Sequence, residues 1–212
     1  MDAVVLNRAV RSARKPKGGG HERRGEILVA AAKIFNNLGY DGATIRRIAD
    51  EVGLSSTALY MHFRDKDEIL VEICEGAMEK LLKLGSEIAQ RPAPPVDRAR
   101  AMIEAYINFG LAEPSTYRLV FCSNGRHLSP QSQSLVERLG DRCFKTLLDV
   151  VDEIAAEGRL RGVTTAAAAQ VFWAAGHGLA SLLITQPDRQ WSPADELTKT
   201  LLDGMFGGLV SA

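Results

Sequence analysis

Between positions 44 and 66 the chain gathers Thr44, Ser55, Ser56, Thr57, Tyr60, Met61, His62 and Lys66. Hydroxyls, a phenol, an imidazole and an ammonium are groups that bond phosphate oxygens. Ser, Thr and a methyl-bearing side chain can also meet base edges. The chemistry this set can do is recognition of a nucleic-acid duplex, with no bond made or broken. Elsewhere the residue types are not spaced for catalysis. His21, His62, His127 and His177 never pair at metal-ligand spacing, and no two of Cys74, Cys122 and Cys143 stand two residues apart. No Gly-rich phosphate loop follows a strand, and there is no nucleophile elbow. The expectation is a protein without metal, cofactor or enzymatic activity.

Two short helices and a tight turn must position the polar set. Asp41 and Gly42 form turns readily, and Thr44 can cap a helix whose Ile45, Ile48, Ala49 and Val52 make one apolar face. Gly53 falls where a left-handed residue ends a helix, and Leu54 can pack back into the core. Ser55 caps the next helix, which buries Ala58, Leu59 and Phe63, and Asp65 caps a third run from Lys66. A helical hairpin with a solvated face would need no more than this. Against that plainer reading stands so much exposed aromatic and small polar surface on a helix too short to be stable alone. The arrangement is that of a helix-turn-helix.

The stretch from Glu22 to Leu70 resembles the DNA-binding domain of the TetR family of bacterial transcriptional regulators. The resemblance rests on Ala31, Phe35, Gly39, Tyr40, Thr44, Ile48, Ala49, Val52, Gly53, Leu54, Ser55, Leu59, Tyr60, His62, Phe63, Lys66 and Leu70, in order and at these spacings. It implies that the helix from Ser56 to His62 enters a major groove, with Thr44, Tyr60, His62 and Lys66 clamping the backbone. Thr57 stands where the family frequently has Gly, and Ala58 where it has Thr or Ala, which leaves base preference open.

Net charge is zero, but residues 1–66 hold 12 Lys or Arg against 7 Asp or Glu, and the remainder 14 against 19. A basic end on an acidic body suits a chain that touches nucleic acid with one end, in duplicate if dimeric. Residues 1–20 mix five basic side chains with Pro16 and three glycines and are expected to be a disordered arm. That arm reads either as a DNA-contacting tail or as a solvated one. No apolar run is expected to span a membrane, and no signal core opens the chain, so the expected location is cytoplasmic. The three cysteines read as buried thiols, with a redox or metal role as the alternative.

From Lys66 onward the apolar periodicity predicts helices over about 66–90, 96–112, 114–121, 131–157, 165–185 and a last one capped by Ser192. The fold class is therefore all-α, about nine helices. Residues 21–66 would be the helix-turn-helix domain and 67–212 the ligand-binding and dimerisation body. Trp173 followed by His177-Gly178, with Tyr117-Arg118-Leu119-Val120-Phe121, resembles one TetR C-terminal type, which implies a homodimer through the last two helices. Ala174, Ala175, Gly178 and Ala180 suit close helix approach, since Gly inside a helix costs ~1 kcal/mol against Ala. Tyr106, Phe109, Tyr117, Phe121, Phe144, Phe172, Trp173 and His177 are the candidate effector contacts, or else core aromatics and an interface histidine. Together these features describe a ligand-responsive regulator, a repressor of a palindromic operator. A helical interaction module is the rival.

Overall fold

The computed structural model describes residues 20–122 and 129–211. Residues 1–19 of the basic arm, and His127, lie outside them. Among the described residues nine α-helices occur, in the order α1 (Gly20–Gly42), α2 (Ile45–Glu51), α3 (Ser56–Tyr60), α4 (Lys66–Ala89), α5 (Pro95–Ala112), α6 (Pro114–Tyr117), α7 (Pro130–Ala156), α8 (Thr165–Thr185) and α9 (Ala194–Leu209). A π-helical turn, Arg118–Cys122, follows α6. No strand forms there, only an isolated antiparallel bridge between Leu160 and Val210. The chain divides into two compact units, with the boundary between Leu70 and Val71 inside α4.

In the first unit Ile27, Ala31 and Phe35 of α1 share a core with Ile48, Ala49, Leu59, Phe63 and Ile69. Helix α1 breaks at Gly39, where φ is 70° and ψ 172°, a backbone that only glycine adopts cheaply. That break delivers Tyr40 beside Phe35, rings stacked with centroids 5.9 Å apart.

In the second unit α5 is the central element, packing against α7, α8 and α9. It buries Ala99, Met102, Ile103 and Ile107, while α8 buries Ala168, Ala169, Phe172, Ala180 and Ile184. Gly176 makes the α5–α8 approach possible, because a Cβ there would lie 2.7 Å from Ile103 Cγ2. Gly178, two residues on, meets nothing within 4 Å and faces outward. Arg100 of α5 pairs with Asp203 of α9 at 2.5 Å, and Arg98 pairs with Glu153 of α7. The Arg100–Asp203 pair is partly exposed and adds little stability, whereas Arg98 is nearly buried and also donates to the Ala89 and Ala93 carbonyls.

Two expectations need correction. Helix α8 is long and apolar enough, by length and composition alone, to cross a membrane, although no such run was anticipated. Its hydropathy comes from alanines and large aliphatic residues with no charged side chain among them, and a third of the apolar stretch is buried within the second unit. Ser192 does not cap the last helix, because Pro193 takes the N-cap position without a side-chain bond.

Candidate nucleic-acid interface and effector cavity

The turn that presents α3 is built by three local devices. Thr44 Oγ1 accepts from Arg47 N at 3.3 Å and starts α2. Gly53, at φ 66°, reverses the chain, and Leu54 N then donates to Ala49 O at 2.8 Å to close the helix end. Ser55 Oγ accepts from Ala58 N at 3.1 Å and starts α3. Such caps contribute about 1 kcal/mol each, which matters for a helix of five residues. Leu59 and Phe63 anchor α3 inward. The opposite surface carries Thr57, Tyr60 at 55 % exposure and Met61 at 83 %, with Ser56 and His62 half-buried beside them.

Lys66 is placed differently from a free cation. Its Nζ donates to Tyr40 O at 2.8 Å and to Ala43 O at 3.4 Å, and lies 3.9 Å from the Tyr40 ring centroid. It ties the start of α4 to the end of α1. Arg24 makes a similar tie: it lies 4.0 Å over Phe63, bonds the His62 carbonyl and pairs with Glu68 at 3.2 Å. Asp65 Oδ1 accepts from Glu68 N at 2.8 Å, and that bond holds its carboxyl below the usual range. Sequence reasoning passed over the exposed cations. Arg46 and Arg64 stand 84 % and 82 % exposed, paired with Asp50 and Asp65, and for Arg46 the Arg46-Arg47 pair at the start of α2 was the available signal.

The second unit holds a partly open cavity of about 520 Å³ among α4, α5, α7, α8 and the π-helical turn. Four of the eight candidate contacts line it: Tyr106, Phe121, Phe144 and Trp173. The π-helical turn carries Phe121 to this wall, as such turns often do at functional sites. Tyr117 and His177 stand behind Tyr106 and do not line the cavity. His177 Nδ1 is 2.8 Å from the Tyr117 hydroxyl and 3.0 Å from that of Tyr106. Burial pushes the His177 pKa down, so the imidazole is neutral at pH 7. Phe172 is not at the cavity: it is fully buried and stacked on Phe206, centroids 4.2 Å apart. Phe109 packs partly buried against the core and is also absent from the wall. Arg118 donates to the Ile184 carbonyl at the end of α8.

Burial pushes the Cys74 and Cys143 thiols up to about 12 and about 11, so both stay protonated at neutral pH. Among the described residues no group of three His, Cys, Asp or Glu could hold a metal ion.

Comparison with known proteins joins the two halves. Residues 27–73 match the family described as bacterial regulatory proteins, tetR family, and residues 99–205 match the tetracyclin repressor-like C-terminal domain. The chain belongs to the TetR family: it is a DNA-binding transcriptional regulator and not an enzyme. It is similar to the HTH-type transcriptional activator FasR of Mycolicibacterium smegmatis, 29 % identical over 149 residues, covering 66 % of this chain and 68 % of that one. The HTH-type transcriptional repressor KstR2 of Mycobacterium tuberculosis is 28 % identical over 142 residues, covering 66 % and 70 %. AibR, solved in complex with isovaleryl coenzyme A and operator DNA, shares the fold at 22 % identity and a TM-score of 0.70, covering 88 % of this chain and 97 % of its own.

Proposed function

We propose that this regulator is a homodimeric repressor that binds a palindromic operator and is released by a small apolar molecule held in its body. The observation that carries the reading is an apolar cavity of about 520 Å³ inside a chain whose α3 exposes Tyr60 and Met61. Pockets of this size take drug-sized ligands. The chain is read as a repressor, as KstR2 is, and not as an activator like FasR. AibR, with effector and operator together, supports coupling between two such sites.

In this reading Ser56, Thr57 and Met61 meet base edges in a major groove, while Thr44, Ser55, Tyr60, His62 and Lys66 hold phosphates. Arg46 and Arg64 add screened charge to the same backbone. Residues 21–66 act as the reading head and 67–212 as the sensing and dimerising body. Helix α8 exposes Val171, Ala174 and Leu182 with Gly178 in one row, an apolar strip that the last two helices of a second copy would cover. The effector acts through α4, which both units share. It must prefer the state that cannot span both half-sites, and each ~1.4 kcal/mol of preference weakens operator binding about tenfold. The protein works in the cytoplasm, where its operator is.

Selection of source-genome fragments by the purified chain at physiological salt tests this, with a Tyr60→Ala, Met61→Ala double variant alongside. A few palindromic sites, lost in the variant, are expected. A folded protein that recovers nothing is instead a helical interaction module.

A further inference from the structure

The cavity wall carries an uneven set of charges. Its titratable lining side chains are Glu137, Asp141, Tyr106 and Cys143, with no Lys, Arg or His among them. Glu137 and Asp141 are exposed, one turn apart on α7, and mark a rim with Gln170 of α8. Deeper lie apolar side chains such as Leu81, Met102, Phe144 and Leu147. A ligand anion entering here passes two carboxylates, sheds its water against hydrocarbon and finds no cation to replace it. Uncompensated burial of a charge costs several kcal/mol, whereas one neutral polar group needs a single partner. Tyr106 lines the cavity and its hydroxyl is engaged in an uncharged cluster with Tyr117 and His177, so a ligand group would exchange with one of those bonds and meet no charge. A phenol there can donate to a carbonyl or accept from a hydroxyl.

We infer that the molecule filling this cavity is an uncharged apolar compound bearing one hydroxyl or carbonyl group, and that Glu137 and Asp141 exclude the matching carboxylate. The inference rests on the effector reading above and narrows its chemistry. Glu137 and Asp141 are specificity determinants that repel the wrong ligand without contacting the right one.

Trp173 lines the cavity and Trp191 does not, so a Trp191→Phe background makes tryptophan emission a reporter of the site. Titration at neutral pH uses decanol, decanoate and decanoyl coenzyme A as probes. Decanol should give a saturable change and bind at least about tenfold tighter than decanoate, equivalent to ~1.4 kcal/mol. Glu137→Gln with Asp141→Asn should narrow that gap by tightening decanoate. Gly140→Leu should abolish the decanol response in a folded protein, because Gly140 lines the cavity and a Cβ there meets nothing within 4 Å. Decanoate or the coenzyme A ester binding as tightly as the alcohol overturns the inference. So does a gap unchanged in the double variant, or no saturable response to decanol from folded protein. Operator affinity, read on the same samples by fluorescence anisotropy, separates two failures. Intact DNA binding with the wrong ligand preference sinks the ligand class alone. Decanol binding that leaves operator affinity unchanged sinks the effector reading and leaves the preference standing.

Discussion

Ile103 of α5 occupies the space that a side chain on Gly176 of α8 would need, with its Cγ2 2.7 Å from the position of that missing Cβ. Two helices that bury a large share of the body's apolar surface are held at a separation that one methyl group would change. Gly176→Ala should therefore lower stability by about 1–3 kcal/mol through overpacking, against the ~1 kcal/mol that alanine ordinarily gains inside a helix. Gly178→Ala, with open space around it, should show only the gain within a protomer. Thermal unfolding of the two variants side by side checks this, and equal midpoints would show that α5 and α8 tolerate a wider spacing.

Tyr60→Phe removes a neutral donor. Binding should weaken by a similar factor on specific and random duplexes, with the salt slope unchanged, because no counterion is released by a phenol. Thr57→Gly should instead shift base preference, measured by selection from random duplexes, while random-duplex affinity holds. A preference identical to that of the parent would remove Thr57 from the base-reading set.

Lys66 has one role in the fold and a second proposed at DNA, and the two separate in experiment. Its bonds to the Tyr40 and Ala43 carbonyls hold α4 to α1, so Lys66→Ala should destabilise the first unit by about 1–3 kcal/mol, seen in chemical denaturation. If it also meets a phosphate, the log–log salt slope of DNA binding should fall by about 1. Stability lost with an unchanged slope would make Lys66 a positioning residue only.

The contrast between Lys66 and Tyr60 shows what the chain's order reveals and what it hides. Apolar spacing and capping residues locate α2, α4, α5, α7 and α8 to within a residue or two, because both signals are local: Thr44, Gly53 and Ser55 each act on a neighbour within five positions. The Lys66–Tyr40 and Tyr117–His177 contacts span 26 and 60 positions and leave no mark in periodicity. The aromatics illustrate the same limit. Phe172 and Trp173 are adjacent, yet one helix step sends the first against Phe206 and the second to the cavity wall. Periodicity reports that a side chain is buried, but a void forms wherever opposing helices fail to fill a space, and that depends on residues far apart in sequence.

His177 should make the body acid-sensitive. Burial lowers its pKa below the ordinary 6.5, so the unfolded chain binds the proton more readily than the folded one. Unfolding therefore gains over folding as pH falls through 6.5 towards the lower folded value, and the stability given by the neutral imidazole is fully present only above that window. The melting temperature of the wild type should drop more between pH 7 and pH 5 than that of His177→Gln, whose charge does not change. Parallel drops would assign the acid sensitivity to other groups.

The five residues of α3 divide their labour: Leu59 is buried and holds the helix in the first unit, while Thr57 and Tyr60 are exposed. On the proposed reading, what the protein recognises is written in exposed side chains that contribute little to its core. Lineages can rewrite that address one substitution at a time without first finding a compensating mutation in the core. A single scaffold can in this way be redirected among genes while its sensor stays the same.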